Sequence, residues 1–538
     1  MKKTIFTLFV FVSVSNIILS QNINRDDNFR KFLVAYSAII NSYVDKTDNA
    51  KIIEDAIKGM LEKLDPHSSY TNAEETRKMN EPLEANFDGI GIHFYMHTDT
   101  LYIVEVIRGG PSEKVGLLAG DRIIMVNDSL IAGVKMVNSD VIKLIRGKKG
   151  TEVTVKVKRG SIPDLIEFKI IRDNIPINSI DAAYMADSET GYILLSRFAS
   201  TSLEEFEKAL SDLKKKGMKN LILDLQENGG GYLHIACDLA DQFLDTGKLI
   251  VYMQGDKMRR SNALSTDKGS FLDGKLVILV DEYSASASEI VAGAIQDWDR
   301  GIIVGRRTFG KGLVQRPVDL PDSSMIRLTT GRYYTPSGRF IQKPYENGNS
   351  KDYNFELLDR YNRGELTNAD SIHFPDSLKY STILSKRTVY GGGGIMPDIF
   401  IPLDTTRYTE YLAKIRGIRI FDRLAINFVD KYKNELNNKY SDFKSFKERF
   451  TVSEELLQEL ISMATKENIE YNEEQFNKSK EFISVQLKAN IANILFEHGN
   501  YIEIVNELNN SFHKAIEIMN NDEQYNSILK GIEYLSYQ

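Results

Sequence analysis

The sequence predicts an α/β fold, in which a core of alternating strands and helices follows a smaller unit made mainly of strands. In the core, residues 174–404, the strand patterns Leu221–Leu225 and Leu276–Val280 alternate with helical patterns such as Leu203–Lys216. Such alternation favours a mainly parallel sheet covered by helices. In residues 86–173, apolar and polar residues alternate over short stretches, which is typical of half-buried strands. Helical patterns dominate the regions before and after these two units.

The first twenty residues differ in composition from the rest of the chain. Lys2 and Lys3 precede the uncharged run Ile5–Leu19, and Ser20 offers a small residue for cleavage. This pattern predicts a signal peptide over residues 1–20, and therefore export to the periplasm or cell envelope. The run is about 15 residues long, short of the roughly 20 that span a bilayer, so cleavage is favoured over the alternative of a retained N-terminal anchor.

Residues 21–85 and 405–538 are predicted to be helical. In the first region apolar residues recur at helical spacing, for example at Phe29, Phe32 and Tyr36. Such a face must pack against the core or against a second subunit. The second region is charged and has apolar stripes but no chemical motif. We therefore expect it to pack within the protein or to bind a partner. That partner would be a second copy of the chain, in a homo-oligomer, or an adaptor.

Composition excludes several classes of function. The net charge is −7 and no basic stripe is interleaved with aromatic residues, so we expect no nucleic-acid partner. Cys237 is the only cysteine, so no intrachain disulfide can form, and its apolar helical pattern predicts a core residue rather than a nucleophile. His93 and His97 lie four apart in a strand-rich unit, a poor arrangement for zinc. No metal or organic cofactor is expected.

Residues 86–173 resemble a PDZ domain. The resemblance rests on F-D-G-I-G-I (Phe87–Ile92), on P-S-E-K-V-G-L-L-A-G-D (Pro111–Asp121) and on the V-N dipeptide that follows. A PDZ groove adds a peptide as an extra strand and captures its terminal carboxylate on backbone N–H groups. The resemblance implies that these groups belong to Gly89, Ile90, Gly91 and Ile92. Arg146, which follows the groove helix, is a candidate sensor of the bound tail, or a surface charge.

Three segments of the core carry residues suited to catalysis. D-L-Q-E-N-G-G-G (Asp224–Gly231) ends a buried strand with glycines, which let backbone N–H groups approach an anion closely. S-A-S-A-S-E (Ser284–Glu289) places Ser286 before an apolar helix, whose N-terminal field favours a developing negative charge. T-F-G-K-G-L-V-Q (Thr308–Gln315) places Lys311 between two glycines just after a strand.

Each of these segments also has a bland explanation. Glycines after a strand commonly form a turn, and Ser286 with Glu289 matches a helix capping box. Lys311 ends a near P-loop, but Gly312 replaces the Ser or Thr that would bind magnesium, and Pro317 interrupts the helix that should follow. Nucleotide binding is therefore rejected.

A histidine base is the usual companion of a serine nucleophile. His67 lies in a turn and His234 lies near the glycine loop, but no histidine lies near Ser286 or Lys311 in sequence. The motif G-x-S-x-G is also absent. The residues alone leave the base undecided between a lysine and a distant histidine.

Together the three segments resemble those of the C-terminal processing, or tail-specific, serine peptidases. The likeness runs from L-D-P-H-S-S-Y (Leu64–Tyr70) through the PDZ-like unit to Y-Y-T-P-S-G-R (Tyr333–Arg339) and G-G-G-I-M-P-D (Gly392–Asp398). It implies a crotonase-like catalytic fold and an extracytoplasmic setting. It also implies a Ser-Lys dyad, with Ser286 as the nucleophile and Lys311 as the general base.

The resemblance further implies roles for neighbouring residues. Gln315, four residues after the lysine, orients it. The oxyanion hole consists of the backbone N–H of Ala287 and that of Gly230 or Gly231. Asp297 matches an aspartate that is important in some members of the family, although a charge at the end of a helix explains it equally well.

The glycine loop departs from the family pattern, which usually has Arg and Pro where this chain has Gln226 and Gly229. The expected function is that of an exported serine endopeptidase whose substrates are proteins with free, apolar C-terminal tails. The alternative is a non-catalytic exported PDZ adaptor that binds such tails. Substitution of Ser286, Lys311 or Gln315 would have favoured the adaptor, and all three are intact.

Overall fold

The computed structural model describes residues 27–532 apart from residues 98 and 161. The predicted signal peptide, residues 1–20, lies outside the described residues. Within the part that is described, no helix is both long enough and apolar enough to cross a bilayer.

The N-terminal region contains three helices and a short strand. These elements are α1 (Asp27–Ser42), α2 (Asn49–Leu61), β1 (Ser69–Thr71) and α3 (Ala73–Asn80). The first two helices lie where the apolar spacing predicts them. No residue of α1 is buried, and Phe32 and Leu33 are 39% and 46% exposed. We expected this apolar face to pack against the core or against a second subunit. The core does not cover it.

The PDZ-like unit is built on an antiparallel sheet. Its elements are β2 (Asn86–Gly89), β3 (Ile92–His97), β4 (Thr100–Val106), α4 (Pro111–Val115), β5 (Arg122–Val126), β6 (Ser129–Leu130), α5 (Asn138–Ile145), β7 (Glu152–Lys158), β8 (Ile166–Ile171) and β9 (Asp173–Pro176). The sheet order is β3-β4-β5-β7-β8, with β6 paired to β5. The alternating residues Val153, Val155 and Val157 are buried in its core, as predicted. β2 pairs with β9, so the chain enters and leaves the unit side by side.

The α/β core confirms the predicted alternation. Its elements are β10 (Ile180–Met185), β11 (Thr190–Leu195), α6 (Ser202–Lys215), β12 (Asn220–Asp224), α7 (Leu233–Asp241), β13 (Leu249–Gly255), β14 (Met258–Leu264), β15 (Leu276–Val280), α8 (Ala287–Asp297), β16 (Ile302–Gly305), β17 (Leu313–Asp319), β18 (Met325–Tyr334), α9 (Ser350–Asn362), β19 (Lys379–Ser381), β20 (Thr388–Tyr390) and β21 (Ile399–Phe400).

Two sheets organise this core. The first has the order β10-β11-β12-β15-β16-β21, in which β10 is antiparallel and the other strands are parallel. Helices α6, α7 and α8 cover one of its faces. The second sheet is antiparallel and contains β1, β18, β13, β14 and β17. It includes the β-structure predicted beyond Pro317 and a hairpin, β13–β14, that the sequence did not indicate.

The C-terminal region is helical, as predicted. Its helices are α10 (Glu410–Gly417), α11 (Ile420–Lys439), α12 (Phe443–Arg449), α13 (Glu454–Lys466), α14 (Glu473–Leu495), α15 (His498–Val505), α16 (Asn510–Met519) and α17 (Asp522–Leu529). Most of them share an apolar core of their own. The last two instead pack on the parallel sheet, where Ile518 and Ile528 join Val277 and Val304. They cover its second face. A parallel sheet is apolar on both faces, so each face needs such a cover.

The helical region also contacts the PDZ-like unit. Asp430 of α11 lies 3.5 Å from the guanidinium of Arg122 on β5. The guanidinium of Arg419 lies 6.0 Å from the ring centre of Tyr95 on β3. The C-terminal helices therefore contact both the sheet of the core and the PDZ-like unit.

Candidate active site

The three candidate segments meet at one edge of the parallel sheet. They follow β12, β15 and β16, which are neighbours in that sheet and run in the same direction. The carboxyl ends of parallel strands lie along one edge, where binding sites commonly form. The glycine loop, the serine segment and the lysine segment therefore line a single cleft of about 480 Å³, although they are far apart in sequence.

Ser286 immediately precedes α8 in a strained backbone conformation. Its φ and ψ are 56° and −108°, a region that residues other than glycine rarely adopt. Every residue of α8 is buried, so the surrounding packing holds this conformation. The serine is half-buried and lines the cleft at the positive end of the helix. Such a position favours negative charge that develops on or beside the serine oxygen.

The buried carboxylate of Glu289 joins the serine segment to the lysine segment. Oε2 accepts from the backbone N–H of Ser286 at 2.8 Å and from that of Lys311 at 2.9 Å. Oε1 accepts from the N–H of Gly310 at 2.7 Å and from the Thr308 hydroxyl at 2.6 Å. The capping interaction expected of Glu289 is thus present, and it extends to a second segment. Burial raises the pKa of Glu289 to about 6.

Lys311 is held by Gln315. The lysine Nζ donates to Gln315 Oε1 at 2.9 Å, and Gln315 Nε2 donates to the backbone carbonyl of His67 at 2.5 Å. The second bond decides which way the amide faces, so its oxygen points to the lysine. Burial, and after it the Arg327 cation, lower the pKa of Lys311 below its usual range. A lowered pKa increases the neutral fraction of the lysine, which is the form that can accept a proton.

The glycine loop forms another wall of the cleft. Gly230 lies so close to the serine segment that a Cβ atom there would be 2.9 Å from Ser286 Cβ and 3.0 Å from Ala287 N. The N–H of Gly230 donates to Asn228 Oδ1 at 2.8 Å and is therefore already engaged. By contrast, no protein group in the described ranges accepts from the N–H of Gly231 or of Ala287.

The backbone pairing of Gly231 directs its N–H away from Phe198, its partner in an isolated bridge. Phe198 N donates to Gly230 O, and Tyr232 N donates to Phe198 O. Gly231 and Phe198 are therefore partners in a parallel bridge, in which the residues on either side of Gly231 make the bonds. Of the two glycines named from the family resemblance, the geometry favours Gly231 over Gly230 as the donor that would act with Ala287.

Apolar side chains and one arginine complete the cleft. The apolar residues come from the end of α3 and the loop after it, from α7 and α8, and from the second sheet; they include Met79, Leu83, Leu233, Ile290, Leu313 and Met325. The arginine is Arg327 on β18. The sequence offered no reason to single it out, because it becomes part of the site only through the pairing of β18 with β1 and β17.

Tyr333 ties the serine and lysine segments together, a role that the sequence reasoning missed. Its hydroxyl lies 3.1 Å from the carbonyl oxygen of Ser286 and also bonds to the carbonyl oxygen of Lys311. The residue is 1% exposed. Its neighbour Tyr334 points the other way and stacks on Tyr252 at 4.8 Å. The motif Y-Y-T-P-S-G-R was the available signal, but only strand pleating decides which tyrosine faces the site.

Asp297 does not lie with the other predicted catalytic residues. It ends α8, about 16 Å from Ser286 at the usual rise of a helix. Its carboxylate pairs with Arg339 at 2.6 Å and accepts from the N–H of Ser337 at 2.9 Å. Asp297 and Arg339 are both fully buried. The alternative of a charge at a helix end describes its position, but the charge is neutralised in a buried ion pair rather than solvated.

The two histidines considered as alternative bases lie outside the cleft. His67 Nε2 is 2.7 Å from the Tyr353 hydroxyl, and burial lowers the pKa of His67 to about 4. His234 is exposed, and its ring centre lies 5.3 Å from that of Tyr232. Neither ring lines the cleft that contains Ser286. His67 contributes through its backbone carbonyl, which orients Gln315.

The loop expected to bind a carboxylate in the PDZ-like unit has free N–H groups. The carbonyl oxygens of Ile90 and Gly91 accept from Ser112 N and Ile107 N, both at 3.0 Å. Their own N–H groups have no protein acceptor within residues 27–532, leaving aside the undescribed 98 and 161. Gly91 has a φ of +75°, which a glycine adopts without strain. The loop therefore retains the donors that a terminal carboxylate needs.

Arg146 connects the PDZ-like unit to the wall of the cleft. Its guanidinium lies 2.6 Å from the Glu81 carboxylate and 4.3 Å from the ring centre of Phe87. Glu81 directly follows Met79 and Asn80, which line the cleft. Arg146 is thus a partly exposed charge in an ion pair between the PDZ-like unit and the segment beside the cleft, a position that suits both the predicted sensor and the alternative of a surface charge.

Comparison with known families gives matches along most of the chain. Residues 189–354 match peptidase family S41, and residues 89–170 match the PDZ domain. Residues 13–76 match the N-terminal domain of the activating protease CtpB. Residues 411–497 match a family of unknown function.

Individual relatives have consistent names. The carboxy-terminal-processing protease of Bartonella bacilliformis is 36% identical over 352 residues, which cover 63% of this chain and 80% of that protein. The carboxy-terminal processing protease CtpA of Bacillus subtilis is 35% identical over 342 residues, covering 62% and 72%. Among solved structures, the photosystem II D1 C-terminal processing protease has 29% identity and a TM-score of 0.33, covering 57% of this chain and 88% of that one.

The Glu289 network generates a first prediction. Glu289→Gln keeps the size of the side chain but replaces one accepting oxygen with an NH₂ group, so two of the four donors would face a donor. An unsatisfied buried donor costs about 1 to 3 kcal/mol. We expect the free energy of unfolding, measured in urea, to fall by about 2 kcal/mol or more, and peptide turnover to fall because the two segments lose their register.

Glu207→Gln is the matched control, because Glu207 lies exposed on α6 of the same core. We expect this variant to have the same free energy of unfolding and the same peptide turnover as the wild type. If Glu289→Gln were as stable and as active as Glu207→Gln, the carboxylate would not be what holds the two segments together.

Proposed function

The chain belongs to peptidase family S41, the carboxy-terminal processing proteases, and we propose that it cleaves peptide bonds with Ser286 as the nucleophile and Lys311 as the general base. It is a serine-type peptidase with a PDZ domain. One observation carries the proposed dyad. A single cleft is lined by Ser286, Lys311, Gln315 and Gly231.

The base must be neutral before it can act. At the free pKa of about 10.4, roughly one lysine in 2,500 is neutral at pH 7. Burial of Lys311 and the nearby Arg327 cation both lower its pKa, which increases that fraction. The hydrogen bond to Gln315 keeps Nζ in place in the cleft.

The reaction follows from these positions. Lys311 Nζ takes the hydroxyl proton of Ser286 as its Oγ attacks the carbonyl carbon of the peptide bond. The resulting oxyanion is stabilised by the N–H groups of Ala287 and Gly231 and by the field of α8. Protonated Lys311 then gives its proton to the leaving amine. A water molecule, activated by the lysine, hydrolyses the ester and frees the serine.

Tail recognition is assigned to the PDZ domain. Its groove would add the C-terminal end of a substrate to β3, with the terminal carboxylate on the free N–H groups of Ile90 and Gly91. The ion pair of Arg146 with Glu81 links this domain to the wall of the cleft. A bound tail can open the cleft only if it binds more tightly to the open arrangement than to the closed one.

Export and self-association complete the proposal. Export rests on the N-terminal pattern of Lys2, Lys3 and the uncharged run after them, and N-terminal sequencing of the mature protein tests it.

Self-association rests on the exposed apolar face of α1, which a second copy would cover. The mass in solution should fall to that of one chain when Phe32 and Leu33 are replaced by Ser, and a wild-type monomer would refute this part.

The dyad generates a second prediction. Ser286→Ala and Lys311→Ala should each reduce hydrolysis of a denatured, tail-exposed protein by several orders of magnitude while the fold is retained. Because the two residues act as a unit, the double variant should be no worse than either single variant. Ser261→Ala and Lys257→Ala, at exposed positions on the β13–β14 hairpin, are the matched controls and should keep full activity.

The pH profile is the second readout of the dyad. Lys311 is active only after losing its proton, so kcat/KM should rise with pH through the lowered pKa of Lys311. A flat profile between about pH 5 and pH 9, or normal turnover by Lys311→Ala, would contradict the lysine base. If the wild type bound tails but hydrolysed none of them, the adaptor alternative would be correct.

The PDZ domain generates a third prediction. A substrate with a free C-terminal carboxylate should be cleaved at least several-fold faster than the same substrate with an amidated C-terminus, because only the carboxylate is held by the loop. Gly91→Ala should reduce this difference, since alanine is strained at a φ of +75°. The measurement is the initial rate for each pair of substrates.

Gly109→Ala is the control for that variant. Gly109 has a φ of +76°, so the strain is the same, but it lies outside the predicted carboxylate loop and a Cβ there would meet nothing within 4 Å. The acid–amide difference should persist in Gly109→Ala. Equal cleavage of acid and amide by the wild type would make the PDZ domain a passive spacer.

A further inference from the structure

Arg327 places a positive charge inside the catalytic cleft. It lies on β18, opposite Ser69 of β1 and Pro317 of β17. It lines the same cleft as Ser286 and Lys311. The side chain is half-buried, so its charge is only partly solvated. Its position beside the reacting groups makes it available to whatever part of a substrate lies next to the cleaved bond.

Among the described residues, the guanidinium of Arg327 has no acidic partner. Its hydrogen bond is to Asn80 Oδ1, at 3.3 Å, which is long for a charged donor. Within the described part of the chain no aspartate or glutamate lines the cleft, and no carboxylate lies within 4.0 Å of Arg327. Once Lys311 is neutral, Arg327 is therefore the one charged side chain among the described residues that line the cleft.

Fully buried arginines of this core are paired with carboxylates, whereas half-buried Arg300 donates instead to three backbone carbonyl oxygens. Arg339 pairs with Asp297 at 2.6 Å, and Arg307 pairs with Glu365. A desolvated cation without a counter-ion is unfavourable, and proteins normally supply one. Arg327 has neither kind of compensation beyond its long bond to Asn80, and it lines the cleft, which indicates that a bound substrate supplies the missing anion.

We propose that Arg327 is a specificity-determining residue that binds a carboxylate of the substrate close to the cleaved bond. This inference rests on the proposed peptidase function. A guanidinium matches a carboxylate with two parallel hydrogen bonds. The rest of the cleft is largely apolar, so the preferred segment combines apolar side chains with one carboxylate. That carboxylate belongs either to an acidic side chain or to the free C-terminus of a short tail.

Arg327 also acts on the general base, and the experiment must separate the two effects. Because the cation lowers the pKa of Lys311, Arg327→Gln should move the acidic limb of the kcat/KM profile to higher pH. Absolute rates therefore change for every substrate. The ratio of kcat/KM for two matched peptides, measured with one variant at one pH, cancels this change and reports substrate preference alone.

The test uses C-amidated, internally quenched peptides that differ by Glu against Gln at successive positions on either side of the cleaved bond. Amidation removes capture by the PDZ domain. At one of these positions the wild type should prefer Glu by roughly tenfold to hundredfold, the worth of a charged hydrogen-bonded pair. Arg327→Gln should bring the ratio to about one, and Arg327→Lys should retain part of the preference.

Arg332→Gln is the matched control. Arg332 lies on the same strand but is exposed and outside the cleft, so the variant removes one positive charge without touching the site. It should keep the wild-type ratio. The proposal would be overturned by two results together. The wild type would show a Glu-to-Gln ratio of about one at every position, and it would cleave short peptides with a free C-terminus no faster than their amides.

Short peptides with a free or amidated C-terminus close to the cleaved bond test the second source of the carboxylate. An acid–amide difference that disappears in Arg327→Gln supports binding in the cleft, whereas one that survives there belongs to the PDZ domain and counts against it. Binding of the same peptides to Ser286→Ala gives the preference without turnover. The inference can therefore fail while Ser286-dependent hydrolysis stands, and the reverse is equally visible.

Discussion

The site depends on one buried carboxylate. Glu289 accepts four hydrogen bonds, and its donors come from the start of α8 and from the segment that carries Lys311. These two segments are separated by the length of a helix and a strand, and their strands only bring them to the same edge of the sheet. The carboxylate converts that rough proximity into a fixed register, and Tyr333 adds a second link through the two carbonyl groups. The raised pKa of Glu289 shows that burial is only partly offset by these bonds.

A rigid support makes such a register useful. The parallel sheet is covered by α6, α7 and α8 on one face and by α16 and α17 on the other. The strained backbone of Ser286 persists because α8 is buried along its whole length. The turn at Asp65 adds a further constraint from the N-terminal region. Asp65 accepts from the Thr329 hydroxyl at 2.9 Å, which places the His67 carbonyl against Gln315.

The cleft is electrostatically asymmetric. Among the described residues that line it, two are basic and none is acidic. The Arg327 cation disfavours a proton on Lys311, and its own charge is left for a substrate to neutralise. The ion pair between Arg146 and Glu81 reaches the same cleft from the PDZ domain, next to Asn80, which contacts Arg327. Recognition of the tail and of the cleaved segment would thus meet at the end of α3.

The sequence by itself determined the alternation of strands and helices, the PDZ-like unit and the segments that carry Ser286, Lys311 and Gln315. Local apolar periodicity and short motifs contain that information. Only the tertiary structure decided that Gly231 rather than Gly230 has a free N–H, that Asp297 is buried against Arg339, and that Arg327 lines the cleft. It also decided that the last two helices cover the sheet. Each of these facts depends on contacts between residues distant along the chain, and no local pattern specifies them.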